Sequence, residues 1–333
     1  MSKIVVDLYG ADAGPQVVLD GVVLTLRRIP DFEAVLVGDS SLILPAIPED
    51  LLPRVSIVDA PDYITNHDAP STVLTADCKA SMRQALEYLK KHEDCAGLIS
   101  AGNTGALLVG SIFKLGMVKG MKQPALCSAL PLKDGKLVCL VDCGATIECH
   151  PRSLAMFALL GDAFMKSMCG LEAPRVGLLS VGREPGKGNP LTQAAYPVLE
   201  KLPIHFIGNI EGSDLTAGVA DVVVSDGFSG NVLLKNTEAT GKFAAALLRN
   251  MAAGQEPAVA EALNAAADRL HYSFDFNSRG GATFLGTKKT VVKMHGCANP
   301  ETVWACVDQI LRLEAANYAA RIADVAAHLP EEL

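Results

Sequence analysis

An α/β fold, a mostly parallel sheet flanked by helices, is what this sequence predicts, and two observations carry the prediction. Strand–loop–helix units recur along all 333 residues, and that alternation builds parallel sheets covered on both faces. Half of the residues are hydrophobic but only 5% are aromatic, so the core must be made of Val, Leu, Ile and Ala, which fill buried parallel strands. No linker, repeat or low-complexity segment interrupts the chain. Residues 1–333 are therefore read as one α/β unit, with a helical hairpin at 236–275 inside it.

Composition narrows the function. The net charge of −8 argues against nucleic acid and anionic membrane as partners, and makes any local cationic pocket more telling. Met1-Ser2-Lys3 runs straight into an apolar strand, which reads as no targeting signal. No run reaches the roughly 18 apolar residues of a membrane span. The nine cysteines lack CxxC spacing, which fits reduced thiols and a cytoplasmic protein. Cys139, Cys143, Cys149 and His150 cluster in sequence, but their spacing suits no zinc pattern. Neither a metal nor another cofactor is expected.

The elements follow in order. An apolar run at 4–7 is a strand, and Pro15 is placed to start a helix to about Arg27. Strands are expected at 34–37 and 55–58, with a proline-interrupted helix between them. Val73, Leu74, Met82, Leu86 and Leu89 recur at near-helical spacing, predicting one long helix over 71–92. A strand at 96–99 precedes a short apolar helix at 106–113. Strands at 125–130 and 137–141 flank Lys133-Asp134-Gly135, a hairpin turn. Pro151 starts a helix to about Met168. Strands at 176–181, 204–207 and 221–224 are each followed by a Gly-rich loop, and the last leads into a helix to Met251. The helical pattern breaks at 252–257 and resumes over 258–270. Two late strands at 283–286 and 290–294 precede a final helix, capped by Asn299 and reaching about Ala327.

Six predicted strand ends carry Gly with Asp, Asn, Thr or Lys: Gly10; Gly102, Asn103 and Thr104; Asp142 and Gly144; Gly186, Lys187, Gly188 and Asn189; Gly208 and Asn209; Asp226 to Asn231. Parallel sheets bind ligands beyond the carboxyl ends of their strands, so all six are expected on one edge. The Lys187 loop is the most distinctive. It joins a strand to a helix start, where unpaired N–H groups suit an anion, and its glycines allow close approach. Three residues separate Gly182 from Gly186, and Gly188 follows the lysine, so it is not a Walker loop. An ordinary turn with a solvated lysine would have the same pattern.

Taken together, these motifs resemble the bacterial phosphate acyltransferase family of phospholipid synthesis. The resemblance runs nearly end to end. It rests on Ser100-Ala101-Gly102-Asn103-Thr104-Gly105-Ala106, Pro174-Arg175-Val176-Gly177, Lys187-Gly188-Asn189, Gly208-Asn209-Ile210-Glu211-Gly212, Asp226-Gly227-Phe228-Ser229-Gly230-Asn231 and Gly280-Gly281-Ala282. It implies a fold like phosphotransacetylases and isopropylmalate-type dehydrogenases, a homodimer, and acyl transfer from an acyl-carrier-protein (or CoA) thioester to inorganic phosphate. The family's active-site lysine falls on Lys187 and its asparagine on Asn231. The chain departs from the family in Asp7-Leu8-Tyr9-Gly10-Ala11-Asp12, where the family has Asp-Ala-Met-Gly-Gly-Asp, at Thr75-Ala76-Asp77-Cys78-Lys79 where the family is basic, at Thr146, and at Ser213, where the family has Arg. Glu256 and Glu261 replace an apolar hairpin tip, so membrane association is expected to be weak or absent.

A direct mechanism is expected. Phosphate is already anionic and a thiolate leaves readily, so no Ser-His-Asp set is required. Lys187 would hold phosphate, and Asn231, with Asn103 or Asn189, would donate to the oxyanion. Gly10, Thr104, Asp142, Gly186, Gly188, Asn209 and Asp226 complete the expected binding set. His150 and His205 could handle protons or be structural, and Cys143 or Cys149 as a nucleophile lacks a visible base. Two alternatives stand: an NAD-linked decarboxylating dehydrogenase, for which the arginines are too scattered, and a catalytically weakened relative that senses acyl thioester or acyl phosphate.

Overall fold

The computed structural model describes residues 1–274 and 280–325. Among these, eleven strands form one sheet: β1 Ser2–Asp7, β2 Phe32–Gly38, β3 Val55–Asp59, β4 Cys95–Ser100, β5 Ala125–Pro131, β6 Leu137–Val141, β7 Arg175–Leu179, β8 His205–Ile210, β9 Val222–Val224, β10 Ala282–Leu285 and β11 Thr290–Lys293. Their spatial order is β3-β2-β1-β4-β11-β10-β5-β6-β9-β7-β8. The helices are α1 Pro15–Arg28, α2 Ser40–Ala46, α3 Ser81–Lys91, α4 Thr104–Gly110, α5 Pro151–Cys169, α6 Pro190–Leu199, α7 Asp214–Ala217, α8 Gly227–Ala252, α9 Pro257–Ser273, α10 Pro300–Ala315 and α11 Tyr318–Val325.

The sheet is mostly parallel, as expected, but it has two directions. β3, β2, β1, β4 and β11 run together, and so do β6, β9, β7 and β8. Between them the pairs β11–β10, β10–β5 and β5–β6 are antiparallel. Three reversals leave the second set pointing opposite to the first. The expectation that all six Gly-rich ends share one edge is therefore corrected. Gly10 and Gly102 follow strands of the first set, whereas Asp142, Lys187, Asn209 and Asp226 belong to the second. One reversal is the hairpin at Gly135, whose φ of 82° is the left-handed conformation that favours glycine.

Register brings the two sets back together. Ser100 pairs with Lys293, Lys293 with Ala282, Thr283 with Cys127, and Cys127 with Val141. The carboxyl ends of β4 and β11 thus stop at nearly the height where β6 ends from the other direction. Short strands cause this, since the strands that meet there span only four to seven residues.

Apolar helices cover both faces. α5 is buried along most of its length against β6 and β9, and Gly161 lets it approach Val141 and Val222. α1 and α10 pack together. Two predicted helices are broken. The segment 71–92 is a short 3₁₀ turn at Pro70–Leu74, a second turn in which Cys78 N donates to Thr75 O at 3.2 Å, and α3. Thr75 and Ala80 both have ψ of 144°, Ser81 N donates to Asp62 O at 2.7 Å, and the Arg83 guanidinium binds Thr75 O. Thr and Asp at 75 and 77 favour such local alternatives over helix. The final helix is divided at Asn317, whose φ is 52°, a conformation Asn tolerates. The expected helix end at Ala327 and hairpin limit at residue 275 lie outside the described residues. No helix among the described residues is long and apolar enough to cross a membrane.

Candidate active site

A cavity of about 550 Å³ lies where the two strand sets meet. Gly10, Gly102 and Thr104 line it from the first set, Gly144 and Asn231 from the second, and Gly280, Gly281, Lys293 and Gly296 from the strands between and after. Gly10 has φ of 102°, and a Cβ there would overlap Gly102 Cα, so two loops touch through bare backbone.

Asn231 sits in the first turns of α8. Asp226 caps that helix, its carboxylate accepting from Ser229 N at 2.9 Å. Gly230 presses on the carbonyl of Asp142, which sets the height of Asn231 over the β6 end. A Cβ on Gly144 would lie 3.7 Å from Asn231 Oδ1. Asp142 is buried and organises the loop from below. It accepts from the N–H groups of Leu126 at 2.8 Å, Gly144 at 3.1 Å, Ala145 at 3.1 Å and Thr146 at 2.6 Å. Burial raises its pKa, and the backbone donors act against the rise.

The Lys187 loop belongs to β7, neighbour of β9, so Lys187 and Asn231 follow adjacent parallel strands. The loop is outside the cavity lining. Asn189 caps α6, accepting from Thr192 N at 2.9 Å. Gln193 donates to Gly186 O at 2.9 Å and Gly188 O at 3.0 Å, and Asn209 Nδ2 to Glu184 O at 2.8 Å. Lys187 is exposed, and its ammonium makes no hydrogen bond or ion pair among the described residues. Asn103 caps α4, accepting from Ala106 N at 3.0 Å, and donates to Thr65 O at 3.1 Å.

The site thus brings Gly10, Thr104 and Asn231 into one cavity. Asn103, Asp142, Asn189, Asn209 and Asp226 support its walls or neighbouring loops through backbone contacts. Their residue types fit both roles, because a short polar side chain at a loop–helix junction first satisfies N–H groups. His150 precedes α5 as its cap residue, and His205 is exposed at the start of β8. Burial pushes the Cys149 thiol up to about 12 and raises Cys143 as well, which disfavours either as a thiolate nucleophile. Among the described residues, no group of three His, Cys, Asp or Glu could hold a metal.

Seven polar lining residues were not expected from sequence: Asp12, Asn66, Ser128, Lys235, Glu238, Lys293 and His295. Lys293 was legible as a lysine closing an apolar strand, Thr290-Val291-Val292-Lys293, but nothing local says where that strand inserts. Its ammonium donates to Ala101 O at 2.9 Å and to Met294 O. Burial lowers its pKa to about 8.

Known proteins agree with this architecture. Residues 2–321 match the family described as "Fatty acid synthesis protein". A phosphate acyltransferase of Shouchella clausii (strain KSM-K16) is 36% identical over 309 residues, 92% of this chain and 93% of that protein. One of Helicobacter hepaticus (strain ATCC 51449 / 3B1) is 35% identical over 332 residues, 99% of this chain and 98% of that protein. In fold, the chain is similar to a phosphotransacetylase from Streptococcus pyogenes, with TM-score 0.60 at 15% identity over 95% of this chain and 94% of that one. It is also similar to a branched-chain phosphotransacylase from Enterococcus faecalis V583, with TM-score 0.56 at 14% identity over 94% of this chain and 99% of that one.

Proposed function

Because the chain belongs to the fatty acid synthesis protein family, whose relatives include the phosphate acyltransferases above, we propose that it moves an acyl group from a thioester to inorganic phosphate. The donor is an acyl-carrier-protein or CoA thioester, and the product is acyl phosphate for phospholipid synthesis in the cytoplasm. A phosphate oxygen attacks the acyl carbonyl, a tetrahedral oxyanion forms, and the C–S bond breaks as the thiolate leaves. Asn231 Nδ2 donates to the oxyanion. Lys187, on the neighbouring loop, brings a positive charge to the phosphate.

The observation that carries this is Asn231 over Gly144 at the wall of a glycine-lined cavity. Backbone lets substrate approach closely there, and the Asn231 amide lines the same wall. The reaction needs no stronger acid or base. Phe243, Leu247 and Met251 on α8 and Val259 on α9 are exposed, which supports a second copy as the partner covering that hairpin.

The test is acyl phosphate trapped by hydroxylamine, with carrier-protein and CoA thioesters of several lengths. Lys187→Ala and Asn231→Ala are expected to slow turnover by about 100- to 1000-fold, the usual loss for one oxyanion-stabilising donor. Unchanged turnover in both variants would remove these two residues from the chemistry.

A further inference from the structure

We propose that the half-buried Lys293 ammonium seats the attacking phosphate inside the cavity, which makes it an anion anchor in addition to the exposed Lys187. The inference rests on the acyl-transfer function proposed above and locates its nucleophile.

Lys293 closes β11, between β4 and β10, at the height where the two strand sets converge. An ammonium has three N–H donors. Two are used, by Ala101 O at 2.9 Å and by Met294 O, and both acceptors are neutral carbonyls. No carboxylate lies within ion-pair distance among the described residues. Asp7, the nearby buried acid on β1, has its two oxygens engaged by the hydroxyls of Ser81 and Ser100, each at 2.6 Å. Lys235, the other lysine in the lining, is already paired with Glu238 at 2.8 Å. Lys293 is half-buried; withdrawing a cation from water without a counterion is costly, and a bound dianion would relieve that cost.

The surroundings have the right shape. Gly10, Gly102, Gly280, Gly281 and Gly296 line the same cavity. A Cβ at Gly281 would lie 2.6 Å from Lys293 O, and one at Gly280 would overlap Gln309 Oε1. Backbone thus forms much of the wall around the Lys293 ammonium, and Asn231 lines the same cavity.

The lowered pKa adds a signature. The groups facing Lys293 are Asp7 on β1, Asp12 in the loop after it, Cys306 on α10 and Lys235 on α8, with His295 just beyond β11 and Glu238 beside Lys235. Burial raises the Cys306 thiol, so it stays neutral. In the free enzyme the Lys293 ammonium loses its proton around pH 8, and phosphate capture should decline above that.

The experiment is steady-state kinetics on the full chain, varying phosphate and thioester separately, for wild type, Lys293→Met and Lys293→Arg. Losing a charge-assisted hydrogen bond predicts a phosphate KM raised about 10- to 100-fold in Lys293→Met, with thioester KM unchanged. Lys293→Arg should recover part of the loss and move the alkaline decline in kcat/KM for phosphate to higher pH. A phosphate KM unchanged in active Lys293→Met overturns the proposal. So does a rise confined to thioester KM, which would assign Lys293 to the phosphate of the donor's prosthetic arm. Phosphate alone should also raise the melting temperature of wild type and not of Lys293→Met. That arm reads the seat even if no acyl phosphate forms, in which case the proposed reaction fails and the anion site does not.

Discussion

Lys293 shows how a single residue escapes a sequence reading. Its neighbours Val291, Val292 and Met294 mark a strand plainly, but a lysine at a strand end is normally solvated. Burial became visible once β11 was seen inserted between β4 and β10. Asn231 was expected from the family resemblance and lines the cavity, whereas the Lys187 loop, picked out by its glycine spacing, lies outside that lining. Burial lowers the Lys293 pKa from 10.5 to about 8. Between those values the unfolded chain binds the proton and the folded chain does not, so stability rises with pH across that window. Without phosphate, wild type should therefore gain on Lys293→Met from pH 8 to 10.5 at up to roughly 1.4 kcal/mol per pH unit. Urea unfolding at several pH values measures this, and a flat difference would contradict the burial assigned to the ammonium.

At the scale of elements, the site depends on how α8 lands on the end of β6. Gly230 presses on Asp142 O, and the Asp142 carboxylate gathers four backbone N–H groups. Removing it leaves those donors buried and unsatisfied. Asp142→Ala is expected to destabilise the fold by about 3 kcal/mol or more, measured by denaturant unfolding. A loss under about 0.5 kcal/mol would mean the loop holds itself. Gly230→Ala should act differently, because its new Cβ displaces α8 and moves Asn231 with it. Turnover should fall about 100-fold or more while substrate KM values change less. Intact turnover would show that Asn231 does not depend on this contact. The hairpin and helix starts were readable, since Pro15 and Gly135 act through their own backbone and Asn299 through its side chain on Thr302 N. The breaks at Thr75 and Asn317 were not, because apolar spacing continued across both.

For the whole molecule, composition and the strand–helix rhythm were enough to predict a mostly parallel α/β sheet. They could not predict its two directions. Strand order depends on which edges meet across long separations, and β10 and β11 come from near the chain's end to sit in the middle of the sheet. That insertion lets carboxyl ends of opposed strands converge and creates the cavity. The central claim is that phosphate attacks the acyl thioester directly in that cavity, with no covalent acyl-enzyme between them. Single-turnover thiol release, followed with and without phosphate, tests it most directly. The account predicts negligible release without phosphate and, with it, release matched one to one by trapped acyl phosphate. A burst of thiol in phosphate's absence, leaving acylated protein behind, would contradict it.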